Sequence, residues 1–175
     1  MNINDIELNW EQPKGSNVIK RAEFQFDSFD ICADIVFDHY ADISYLGEFT
    51  DKYSPEAIEV PDSGPRDCKY FIPAIPIKET IDYYVKEGKS LDEATELANE
   101  QALSNLYRAK DLGVTWNMIG ILINVSKHGI KLGFNSIYGI EDDISDDELR
   151  NLVLDCVSEA IEDAKKNLAK LCECK

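Results

Sequence analysis

The stretch "VTWNMIGILINVSKHGIKLGFNSIYGI" (114–140) decides the fold. Two apolar-rich runs flank "SKHG", where Gly129 can take the positive φ that a tight antiparallel turn needs. The stretch reads as a β-hairpin. A hairpin with one apolar face cannot bury that face alone, so the partners must come from the sequence on either side.

Downstream, Ser145 and Glu148 have capping-box spacing and open a helix expected over 146–171. Leu149, Leu152, Val153, Cys156, Ala160, Ala164, Leu168 and Leu171 recur at three- and four-residue steps, a stripe suited to a sheet face. Asp146, Asp147 and Glu148 at its start and Lys165, Lys166 and Lys170 near its end follow the order that the helix dipole favours. Upstream, Ser90 with Glu93 opens a helix over 91–112, closed by Gly113 at C′, and a shorter helical segment runs from Lys78 to about Glu87.

Further back the period changes to two. "NVIKRAEFQF" (17–26) sets Val18, Lys20, Ala22, Phe24 and Phe26 on one face, and "DICADIVFD" (30–38) sets Ile31, Ala33, Ile35 and Phe37 on one face. "HYAD" then turns the chain and "ISYLGEF" (43–49) returns as another strand. Residues 50–67, with Pro55, Pro61 and Pro65, read as an acidic loop, and "CKYFI" as a short strand halted by Pro73. Residues 1–16 read as an irregular arm closed by Pro13, Gly15 and Ser16.

"SYLGEFTD" (44–51) and "SIYGIEDD" (136–143) share the pattern Ser, two apolar residues, Gly, three residues, Asp. A doubled ββα unit accounts for this, and chance likeness between two amphipathic hairpins is the alternative. The expected architecture is α+β in a single domain over 1–175. An antiparallel sheet of at least four strands carries helices 91–112 and 146–171 on the same face.

The net charge is −16, and it is unevenly spread. Residues 27–67 hold eleven acids against two bases, residues 141–163 ten acids against Arg150, and residues 68–140 eight of each. Such a field repels nucleic acid and anionic membranes and favours basic partners. No run approaches the ~18 apolar residues of a membrane span. The opening "MNINDIELNW" lacks a basic and an apolar signal region, so a cytoplasmic location is expected. Five cysteines without framework spacing read as free thiols.

Catalytic signatures are absent from the pattern. His39 and His128 fall in expected turns, and Cys32, Cys68 and Cys156 lack a local nucleophile motif. "CEC" (172–174) is half a zinc site, and "GIEDD" lacks the alternation and mid-loop glycine of an EF-hand. No phosphate-cradling glycine loop appears, and no cofactor is expected. The candidate interaction residues are Asp34, Asp38, Asp42, Glu48, Asp51, Glu141, Asp142 and Asp143, with the first three expected on an exposed face or rim.

"YLGEF" (45–49), "KYFIP" (69–73), Trp116 with Gly120, and "SIYGIEDD" occur in an order that resembles small uncharacterised proteins of phages, plasmids and integrated elements. Tyr138 stands where that family more often has Trp, and Asp142 where it more often has Ser. The resemblance implies a mobile-element origin and a host cytoplasm, and it brings no established activity.

The expected function is that of a non-enzymatic acidic interaction protein. It would present carboxylates to a basic protein, such as a nucleic-acid-binding host or defence protein, as a nucleic-acid mimic or inhibitor. The alternatives are a metal-dependent enzyme or cation-binding domain using the "GIEDD" carboxylates, and an accessory protein with no acidic-surface partner. A homodimer through an edge strand such as 17–26 is open on the same pattern.

Overall fold

The computed structural model describes residues 3–14, 17–61 and 65–173. Gly15, Ser16, Asp62 and Cys174, used in the sequence reading, lie outside them. In chain order the strands are β1 (Val18–Phe26), β2 (Phe29–Phe37), β3 (Gly47–Thr50), β4 (Ile58–Glu59), β5 (Tyr70–Pro73), β6 (Met118–Lys127) and β7 (Ile130–Glu141). The helices are α1 (Ile77–Lys86), α2 (Leu91–Lys110) and α3 (Asp146–Glu173). The protein is α+β, with an antiparallel sheet of four strands and a second of three.

Read from its sequence as a single domain, the chain forms two compact units. One comprises residues 1–41 and 116–175, the other residues 42–115. In the first, β1, β2, β6 and β7 lie side by side in that order. The β1–β2 turn places Asp27 and Ser28 at φ 48° and 64°, and the β6–β7 turn places His128 and Gly129 at φ 50° and 76°. Both are the two-residue, positive-φ turns that suit the twist of a hairpin. Strand β2 pairs with β6 as well, with Phe37 opposite Ile119, so the second unit is inserted into what would otherwise be a simple meander.

One face of this sheet carries Ile31, Ala33, Ile35, Ile121, Ile123 and Val125, and packs on Val153, Val157, Ala160 and Ala164 of α3. Each fully buried Ile or Val contributes about 1.5–3 kcal/mol. The approach is close because Gly133 has no side chain: a Cβ there would strike the Ala160 carbonyl oxygen and crowd Ala164. The N-terminal arm is ordered against the same core. Ile6 is buried, Leu8 and Trp10 pack on the cluster, and Glu11 and Arg21 exchange two backbone hydrogen bonds of 2.8 Å.

In the second unit β5 is the central strand, flanked by β3 and β4. Phe71 is fully buried there against Phe49, at 5.0 Å between ring centroids. Gly47, at φ 145°, passes so close to Phe71 and the Ile72 carbonyl that no Cβ fits. Helix α2 packs through Ala94, Ala98, Ala102, Leu106 and Ala109, a small-residue face that seats it beside α1.

Four expectations need correction. Helix α2 packs with α1, β5 and β3, while α3 covers β7, β6 and β2, so the long helices do not share one sheet face. "SYLGEFTD" runs into β3 of the smaller sheet and "SIYGIEDD" closes β7 of the larger, which removes the internal ββα repeat. Strand β2 pairs with β1 and β6 rather than with residues 43–49: the Asp27–Ser28 turn closes the hairpin on one edge, and β6 takes the other. The 50–67 segment also contains regular structure: Ile58 pairs with Phe71, and Val60 is buried.

Candidate interaction surface

The eight acidic positions singled out by sequence do different jobs. Asp34 is on β2, on the face away from α3, and only 6% exposed. Its oxygens accept from Arg21 Nε at 2.6 Å and Arg21 Nη2 at 2.8 Å, a two-pronged pair across β1 and β2. That bond, more than the nearby charges, raises the Arg21 guanidinium above its ordinary value. The expectation of an exposed Asp34 is therefore wrong: alternation fixes its face, but the neighbouring strand supplies the cation that lets it be buried.

Asp38 also serves the fold. Just after β2, its Oδ1 accepts from the Tyr40 N–H and its Oδ2 from the Gly139 N–H, both at 3.1 Å. Gly139, at φ 74°, lies in a bulge of β7, and Asp38 satisfies the amide that the bulge frees. Asp142 accepts from the Asn117 backbone at 2.8 Å and from Asn117 Nδ2 at 3.0 Å, fastening the end of β7 to the start of β6. Asp42 accepts from the Ser44 N–H at 2.8 Å and its hydroxyl at 2.9 Å, a local turn.

Glu48 and Asp51 are exposed in the smaller unit, on β3 and just after it. Glu141 is half-buried and Asp143 exposed at the end of β7. Seven acids follow within the first eighteen residues of α3: Asp146, Asp147, Glu148, Asp155, Glu159, Glu162 and Asp163, all exposed. None of these seven is among the sequence candidates, which stop at Asp143 in the loop before the helix. The signal was present in the 141–163 charge block and in the apolar stripe, whose complement must face water. Ser145 caps this helix, accepting from the Glu148 N–H at 3.2 Å. The lone base, Arg150, donates to the Ile6 carbonyl at 3.1 Å.

The histidines and cysteines occupy separate places. His39 follows β2 and stacks on Phe37, with 6.0 Å between ring centroids, while His128 is in the turn beside the start of β2. They thus lie at opposite ends of that strand, about 30 Å apart at the usual rise per residue. Burial and the charge of Asp34 push the Cys32 thiol up, and burial pushes up Cys156 in the α3 core. Among the described residues no three His, Cys, Asp or Glu side chains converge as metal ligands. No described helix is long and apolar enough to cross a membrane.

A cavity of about 200 Å³ opens between the end of the larger sheet and α3, bounded by Ile35, Phe37, Ile119, Leu149, Lys20 and Asp142. It is apolar with a charged mouth and holds no pairing of base and nucleophile. No protein-family model matches the sequence, and no curated protein or solved structure matches it.

Proposed function

We propose that this is a non-enzymatic acidic protein that presents carboxylates to a basic protein surface. The observation that carries the reading is the outward face of α3. Glu148, Asp155, Glu159 and Glu162 stand there, all exposed and one or two turns apart, on a helix whose other side is locked to the sheet, so the charges are held in fixed relation without costly ordering on binding. A groove lined by Arg and Lys to receive phosphates is the matching partner chemistry, which makes a nucleic-acid-binding host or defence protein the partner class and nucleic-acid mimicry the mode. The resemblance to mobile-element proteins supplies the setting, a host cytoplasm.

The test is capture of host proteins by the tagged chain at low and high salt, compared with Glu148→Lys/Asp155→Lys/Glu162→Lys. Captured basic proteins should be released by salt, competed by duplex DNA, and lost in the triple variant while its circular dichroism is unchanged. Capture that survives both salt and charge reversal would overturn the reading.

A further inference from the structure

The larger sheet has two outer strands, and they are finished differently. The outer side of β1 is bridged by the N-terminal arm at Glu11 and Arg21. Strand β7, at twelve residues the longest, has no strand paired to its outer side among the described residues. Between Lys131 and Glu141 its nine residues, "LGFNSIYGI", carry no charge. Phe134 is 46% exposed, Ile137 37% and Tyr138 51%. Soluble proteins usually protect an edge this long with charge, proline or cover.

We infer that β7 is the contact strand of a homodimer, pairing antiparallel with β7 of a second copy about a two-fold axis at Ser136. Two four-stranded sheets then become one sheet of eight. The argument is the self-complementarity of the strand. Under that axis, positions whose numbers sum to 272 face each other, so Phe134 of each copy meets Tyr138 of the other and Lys131 meets Glu141. Their partners on β6 show that these side chains share the face away from α3: Lys131 is opposite Ser126, Phe134 opposite Asn124, Ser136 opposite Leu122, and Glu141 opposite Met118.

The two irregularities of β7 also fall on either side of Ser136. One lies between Lys131 and Gly133, the other between Ile137 and Ile140. Their displaced backbone groups are satisfied within the chain: the Leu132 carbonyl accepts from Asn167 Nδ2 at 2.8 Å, and the Gly139 N–H donates to Asp38. The regular stretch between them is left for a partner strand. An axis at Asn135 instead would set Lys131 against Gly139 and Phe134 against Ser136, losing both matches. Within one copy Lys131 Nζ lies 4.7 Å from the Phe134 ring centroid, a contact compatible with an aromatic neighbour on the other side.

Each copy carries a charge of −16, so salt must tighten the dimer by screening their repulsion, the reverse of its effect on a basic partner. The test combines sedimentation equilibrium with directed cross-linking. The wild type should be dimeric at micromolar concentration in high salt, and Phe134→Lys/Tyr138→Lys monomeric with unchanged circular dichroism. In a Cys172→Ser/Cys174→Ser background, Ser136→Cys puts two thiols on the axis. It should oxidise to a covalent dimer about tenfold or more faster than Asn135→Cys, whose register partner is on the face toward α3. A wild type monomeric at every concentration would overturn the inference, and so would a lysine variant that still dimerises or cross-linking rates that do not differ. A monomer that still captures basic proteins would leave the proposed function intact.

Discussion

At the scale of single residues, Asp34 and Asp38 carry the main lesson. Both were expected to offer charge to a partner, and both are spent on the fold. Removing the Arg21 side chain strands a carboxylate that is almost out of water, so Arg21→Ala should lower unfolding stability by about 1–3 kcal/mol in urea titration. Reversing Asp34 and Asp38 to Lys should unfold the larger unit, whereas reversing Glu48 and Asp51 should leave circular dichroism unchanged. The buried thiols give a pH signature. Cys32 and Cys156 are held above their ordinary value of 9.0, so the unfolded chain loses these protons first. Their contribution is complete below that value and is lost as pH rises toward the folded values. The wild type should therefore lose more stability between neutral pH and about pH 10 than Cys32→Ala/Cys156→Ala does.

At the scale of elements, the contact between β7 and α3 is the least forgiving. Gly133 allows the helix backbone to lie on the strand, and a methyl group there meets the carbonyl of Ala160, which cannot rotate away. Gly133→Ala should cost about 1–3 kcal/mol, read as a lower urea midpoint with an unchanged slope. Long elements announced themselves through their period: β6, β7, α2 and α3 lie within a few residues of where alternation, apolar stripes and capping boxes set them. Strand β4 did not, because two residues among prolines carry no period, and only pairing with β5 makes them a strand.

For the whole molecule, the insertion governs what should separate. The larger unit holds nineteen acids and ten bases and the smaller fifteen and eight, so the net charge is shared between them. Residues 38 and 118 are already joined by a backbone hydrogen bond of 2.8 Å between the Asp38 N–H and the Met118 carbonyl. Replacing 42–115 by a short glycine-rich turn should restore a plain meander, and the shortened chain should unfold cooperatively with α3 helicity retained in circular dichroism.

The sequence alone determined the α+β class, the two hairpin strands at 114–140, both long helices with their serine N-caps, and the uneven charge. All of these follow from local physics: side-chain period, turn conformations and cap chemistry are properties of neighbours along the chain. Tertiary structure decided the rest. Which sheet "YLGEF" joins, which strand pairs with β2, and whether Asp34 faces water or Arg21 depend on contacts between residues distant in sequence or across a turn. Alternation tells which side of a strand a carboxylate lies on, but only the neighbouring strand determines whether water or a guanidinium meets it there.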